Sequence, residues 1–394
     1  MRLLEKKVAP ILILLVLSAA MILPVSAATT DITVIKYADN NYTQSVDSET
    51  FNVSQLQALS SVYSNGPVYM QGPTFDSGDP WGDGGQNMIN YYDHNGTLVS
   101  AITDEVGGMT EGDELKIQAS DGMSRYFGYD NVYTPDARQG DMIVAWWDSV
   151  YGFVPAYTYG MRLFFYTPGE TYGVADSLNL TLRDMQASFD PWYSYNYSAT
   201  WPSAKGLSEK YVRYLKIYPP HRHDFNTTGE TSEWAYEGGV SSDPPGSIDQ
   251  PTTLTSPTTD IADYDSSFEI INSASDYAAQ RFDFAIDTAN DKDGPVDNIE
   301  KLSLTWIGSG YHATADNGAT LYIWNGSGYE ELDSTSSDLE VTLTGELSSS
   351  LGNYINSGNV TAIVVQKSPG TGLSDQSTIE TDYVKLVVTH HHSN

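Results

Sequence analysis

In the second half of the chain, apolar residues fall on alternate positions in short runs: Phe282/Phe284/Ile286, Leu302/Leu304/Trp306, Leu339/Val341/Leu343 and Val384/Leu386/Val388. Gly, Asn and Ser turns separate the runs. Successive side chains of a strand point to opposite faces, so each run turns one apolar face toward a common core. Residues 258–389 are therefore predicted to form an all-β sandwich. Within it, Leu321-Tyr322-Ile323-Trp324, then Asn325-Gly326, then Tyr329 reads as a hairpin. Leu347, Leu351, Tyr354 and Ile355 have the spacing of one short helix on its edge.

The first half mixes periods. Val34 to Tyr37 alternates as a strand, and Asn52 is placed to cap a helix that puts Val53, Leu56 and Leu59 on one face. Leu98, Ile102 and Val106 share a second helical face that stops at Gly107-Gly108. Leu115/Ile117/Ala119, Met142 to Trp146 and Met161/Leu163/Phe165 read as strands. The expected fold class is mainly β, with an α+β domain at 29–222 and the sandwich at 258–389. Between them, 225–257 is rich in Ser, Thr, Pro and Gly and lacks hydrophobic periodicity, so it reads as a linker.

Ahead of both domains, Arg2, Lys6 and Lys7 precede an apolar run from Val8 to Leu23 and then Pro24-Val25-Ser26-Ala27. Charged start, apolar middle and small residues at the end are the marks of an export signal, here 1–27. The run is interrupted by Pro10 and Pro24 and falls short of the roughly 20 apolar residues of a membrane span. No later segment is a candidate span. An extracellular, envelope or cell-surface location follows.

Composition sharpens this picture. The chain has 51 acidic and 19 basic residues, and loss of Glu5 with Arg2, Lys6 and Lys7 would take the net charge from −32 to −34. A nucleic-acid partner is not expected of so acidic a chain. There is no cysteine, hence no disulfide, so an exported form must be held together by its core, glycans, ions or assembly. Asn-x-Ser/Thr sequons stand at Asn41, Asn52, Asn95, Asn179, Asn196, Asn226, Asn325 and Asn359, the candidate glycosylation sites.

Five segments occur in an order known from one family: SQLQAL, LVSAITDEVGGMTEGDELKIQASDGMSRYF, MIVAWW, GMRLFFYTPGE and EKYVRYLKIYP. Across about 50–218 the chain resembles the sulfite-oxidase-type molybdopterin-binding domain, and the arrangement with a following sandwich is similar to secreted surface proteins of methanogenic archaea. The resemblance implies a fold. It implies the chemistry only where the residues match. Catalytic members ligate molybdenum through a cysteine thiolate, and the corresponding stretch here is Pro67-Val68-Tyr69-Met70-Gln71-Gly72-Pro73. Arg162 matches the family's strand arginine, and pairing with a carboxylate is its expected structural role. No catalytic residue and no cofactor-binding residue is assigned, and the oxidoreductase-like fold is expected to be inactive.

Other motifs of catalysis are missing: there is no Gly-x-Ser-x-Gly elbow, His-Glu-x-x-His or Walker loop. His221 and His223 would face one side of a strand and offer a transition metal two ligands, but Pro219-Pro220 favours a loop at a domain exit. Calcium is the one cation with a candidate site, at Asp291, Asp293, Asp297 and Glu300 around a Gly-Pro turn, because hard cations collect oxygens from short loops. The plain alternative is a solvated acidic turn. The aromatics of 189–202 have no period of two or 3.6, so one buried face does not absorb them all. Trp192, Tyr193, Tyr195, Tyr197 and Trp201 are thus the expected partner contact, and the partner is a second copy of the chain. The reading is a non-enzymatic, self-associating structural or adhesive component of an archaeal envelope layer, S-layer or sheath. The alternatives are an extracellular module that binds glycans and a hydrolase working through carboxylates.

Overall fold

A computed structural model describes residues 28–64, 66–73, 87–166, 179–180, 185–226, 233–286 and 298–394. The expected signal, and Asp291, Asp293 and Asp297 of the acidic turn, lie outside these residues. The protein is mainly β, as the alternating runs predict.

The N-terminal unit is built on two sheets. The first runs in the order Asn41–Asn52, Asp31–Ala38, Val212–Tyr218, Glu114–Ala119 and Ser124–Gly128. Asp31–Ala38 pairs in parallel with Val212–Tyr218, which joins the start of the unit to its end. The second runs Gly152–Phe153, Asp141–Asp148, His94–Leu98 and Ser61–Tyr63, with Arg162–Tyr166 also on Asp141–Asp148. Ile32, Val34, Leu115, Ile117, Leu215 and Ile217 from the first sheet share one core with Val144, Trp146, Leu163 and Phe165 from the second.

Both expected helices form. Val53–Ala58 opens with a capping box: Gln55 N donates to Asn52 Oδ1 at 3.1 Å and Asn52 N donates to Gln55 Oε1 at 3.0 Å. These bonds satisfy two amides that the first helical turn leaves orphaned. Leu56 is buried, and Val53 and Leu59 pack beside it. The second helix is Val99–Asp104, and the chain turns away at Gly107 and Gly108, whose φ of 84° and 66° is left-handed backbone that glycine adopts without strain.

The C-terminal unit is a sandwich of two sheets. One runs His221–Asp224, Ser377–His390, Ile299–His312 and Val341–Leu347, with Glu269–Ser273 also on Ser377–His390. The other runs Thr253–Leu254, Glu233–Val240, Tyr277–Ala285, Asn359–Gln366, Ala319–Trp324 and Tyr329–Ser334. Phe282, Phe284, Leu302, Leu304, Trp306, Val384, Leu386 and Val388 fill the space between them.

Three expectations are corrected. The stretch 225–257 is not a linker: Glu233–Val240 pairs along its length with Tyr277–Ala285, so the sandwich begins well before 258. His221 and His223 are not in a loop; their strand pairs with Ser377–His390 and both rings are buried, 4.6 Å apart. Leu347, Leu351 and Ile355 do not share a helix. Leu347 ends a strand, Ser350 takes a left-handed φ of 53°, and only a 3-10 turn, Leu351–Asn353, follows.

Candidate interaction surface and buried polar sites

The two units meet along a polar seam. Arg222, just past Pro219-Pro220, grips Asp39 of the first unit through Nε and Nη2 at 2.9 and 3.0 Å and also pairs with Asp224. Tyr42 donates to the Pro219 carbonyl and its ring lies 4.8 Å from His221. Farther along, the chain's last residues lie on the first unit. The His392 amide donates to Glu114 Oε1 at 2.8 Å, its Nδ1 pairs with the other oxygen, and its ring stacks on Tyr126. Asn394 accepts from the Tyr126 amide at 2.7 Å and donates from Nδ2 to the Tyr126 and Tyr193 carbonyls, both at 2.9 Å.

This tail decides the fate of the 189–202 aromatics. Tyr193 is only 2% exposed and its hydroxyl lies 2.6 Å from His391 Nδ1. Burial pushes that phenol above its ordinary range. Trp192 packs between the core and the His391 ring, 6.0 Å away. Tyr195 lies under the Arg125 guanidinium, against Gly206, where a Cβ would come within 1.8 Å of the ring. Of the five, Tyr197 is about half exposed, and Trp201, opposite it in a short hairpin, is more covered. Of the five expected contact residues, Trp192 and Tyr193 are met by the chain's own last residues, and Tyr195 packs against Arg125 and Gly206.

Open aromatic surface lies elsewhere, at one end of the second sheet. Tyr63, Tyr92, Val150, Tyr151 and Phe153 are each about half exposed. The segments are tied through Asp93: Tyr63 Oη donates to its Oδ2 at 3.1 Å, and Ser149 N donates to its carbonyl at 3.0 Å. Asp148 Oδ1 accepts from the amides of Val150 and Tyr151 at 2.9 and 2.6 Å. Phe153 stacks on buried Trp146, with centroids 5.7 Å apart. The Tyr63 and Phe153 rings and the backbone of the 149–151 turn are thus held in place while these side chains stay about half exposed, a feature no periodicity announces because they come from separate segments.

Glu300, the described member of the calcium set, accepts from or pairs with His391 Nε2 at 2.9 Å. It borders a cavity of about 560 Å³ at the seam, lined also by Asp113, Asp130, Asp136, Asp190 and His391. Among the described residues no group of three His, Asp or Glu side chains is placed to hold a metal ion. The candidate glycosylation residues Asn41, Asn52, Asn95, Asn196, Asn226, Asn325 and Asn359 are all exposed or half-buried. Asn179 starts a two-residue strand.

The stretch 67–73 contains the strand Val68–Gln71, with Val68, Met70 and Gln71 buried. Among the described residues Arg162 has no carboxylate partner, contrary to expectation. It is 1% exposed, its Nε donates to Ser208 Oγ at 2.8 Å, and neither terminal nitrogen has a hydrogen-bond partner. Instead its guanidinium lies over the rings of Tyr91 at 4.3 Å, Phe164 at 5.3 Å and Tyr159 at 5.5 Å. Such faces attract a cation. Nearby His94 is buried, and burial first, then the Arg162 charge, lowers its pKa to about 3. Its Nδ1 lies 3.1 Å from the Tyr92 carbonyl, which only accepts, so the neutral ring carries its proton there. In the sandwich, burial and the neighbouring Glu237 carboxylate raise Glu269 to about 7.

The architecture defines a protein of two fused β units, the second a sandwich. Residues 230–390 match a family described as "Uncharacterized protein, C-terminal domain". A protein of Archaeoglobus fulgidus, described as "Uncharacterized protein", is 35% identical over 121 residues, 29% of this chain and 19% of that protein. The match therefore spans about one-fifth of that relative's length. An exo-beta-1,3-galactanase from Phanerochaete chrysosporium covers 76% of this chain and 64% of its own at 9% identity, with a TM-score of 0.20 too low to carry an argument.

Proposed function

We propose that this protein is a secreted, non-enzymatic structural or adhesive component of an archaeal cell-surface layer, and that it associates with further copies of itself. The observation that carries this reading is the open patch of Tyr63, Tyr92, Val150, Tyr151 and Phe153. Rings of this size bury about 150–250 Å² each when covered, and a cluster left open on a pinned framework marks an interaction site. The export signal, the sequons and the strong acidity support a place outside the cell, and one relative comes from an archaeon. The acidity also explains why contact would be local. A chain of net charge −32 repels its copies everywhere except where apolar area outweighs charge.

Sedimentation velocity of the full chain over a concentration series, at low and at high salt, tests the reading. Association that grows with concentration and strengthens as salt screens the acidic surface is the expected result. A monomer at every concentration and salt would contradict it.

A further inference from the structure

Inside the sandwich, one buried polar side chain has no hydrogen-bond partner among the described residues. Gln280 is fully buried, and neither its amide oxygen nor its amide nitrogen has a hydrogen-bond partner. Buried amides are nearly always satisfied, so an orphan of this kind calls for a ligand that is not part of the chain. Its neighbours fix where it points. Gln280 shares the inner face of Tyr277–Ala285 with the core residues Ala278 and Phe282, and it stands directly opposite Glu237 on the adjacent strand.

From the facing sheet comes Glu269, on the same inner side of its strand as buried Ile271. Glu237 lies near enough to Glu269 for the two negative charges to repel, and Asp260 adds a further negative charge. Thr255 Oγ1 donates to Glu237 Oε2 at 3.0 Å. Two carboxylates in contact repel unless a proton or a cation lies between them. All the donors gathered here are oxygens: two carboxylates, an amide and a hydroxyl. Such a set suits a hard divalent cation and disfavours metals that seek nitrogen or sulfur.

We propose that Glu237, Glu269 and the side-chain oxygen of Gln280 form a calcium-binding site at the mouth of the C-terminal sandwich. Calcium takes six to eight oxygens at about 2.3–2.6 Å, so water completes the set. Oxygens that share one ion need not touch one another, which fits an amide that makes no direct bond to Glu237. With its oxygen on the ion, the Gln280 amide nitrogen is left to donate to a carboxylate or to an ion-bound water. The ion would pin the strand Glu233–Val240 of one sheet to Glu269–Ser273 of the other, and so close an end of the sandwich that hydrophobic packing leaves polar.

The test is a calcium titration of the chelator-treated full chain, followed by binding heat and by thermal melting, with three variants beside it. Wild type should bind calcium and melt higher in its presence by mass action. Glu269→Gln should weaken binding about tenfold or more. Gln280→Met, which removes the orphan amide at similar volume, should melt higher than wild type in chelator and lose most of the calcium response. Asp293→Ala, in the acidic turn, should leave the response intact. No calcium response in wild type, or a full response in Gln280→Met, would overturn the proposal, and so would a response abolished by Asp293→Ala alone. If Glu269→Gln does not fold, Gln280→Met decides.

Discussion

Tyr193 and Tyr151 belong to the same unit, each in a turn crowded with aromatic residues, yet Tyr193 is 2% exposed and Tyr151 54%. The difference is made by residues 390–394. They return from the end of the sandwich, set His391 against Tyr193 and Trp192, and lay Asn394 along Tyr126 and Tyr193. Among the described residues nothing equivalent covers the 149–153 turn, although Asp148 and Asp93 bond its backbone. Where rings are covered from within the chain they act as glue between units. Where they are held rigid and left open, they are available to a partner, and that is why the proposed contact moves from 189–202 to Tyr63, Tyr92 and 150–153.

Removing a covered ring should have the largest effect on stability. Tyr193→Ala is expected to cost about 3–5 kcal/mol, the usual range for deleting a buried aromatic, and to leave self-association of the folded protein unchanged. Chemical denaturation checks the first part and sedimentation the second. A variant of wild-type stability would show that the tail does not roof this ring.

Acid should act on the N-terminal unit through His94. Its folded pKa of about 3 lies below the ordinary value of 6.5, so the folded state holds the ring neutral while the unfolded chain takes up a proton. Stability from this group is complete above about pH 6.5 and falls toward pH 3, at up to about 1.4 kcal/mol per pH unit. His94→Gln should flatten that part of the curve. An unchanged slope would mean that other groups govern the acid limb.

A smaller effect is expected at the tail itself. Asn394→Ala removes one bond accepted and two donated by the side chain, and should cost about 1–2 kcal/mol. Hydrogen exchange at Tyr126 would report the loss locally. Protection unchanged there would show that the tail does not hold that strand.

The strands were legible because their alternation is local: Phe282/Phe284 and Leu302/Leu304/Trp306 each bury one face of one strand. Legibility ends where burial depends on distant segments. His221–Asp224 contains no aliphatic residue and is buried by strand pairing and by the seam, so no apolar period marks it. Glu233–Val240 buries only Ala235 and Val240, and its Gly238-Gly239 pair beside a Pro-rich stretch reads as linker. The aromatics of 189–202 were recognisable as too many for one face, but the tail that meets Trp192 and Tyr193 lies about 200 positions later. Arg162 misled for a related reason. A buried cation suggests a carboxylate, and rings drawn from separate segments took that place.

The central claim is most directly tested by substituting the open patch. A full-chain variant carrying Tyr63→Ser, Tyr92→Ser, Tyr151→Ser and Phe153→Ser should be examined by electron microscopy and sedimentation beside wild type, with melting curves of both. The account predicts that wild type associates, that the variant stays dispersed, and that the two melt within a few degrees of each other because each ring is already about half in water. Association of the variant indistinguishable from wild type, with both folded, would contradict it.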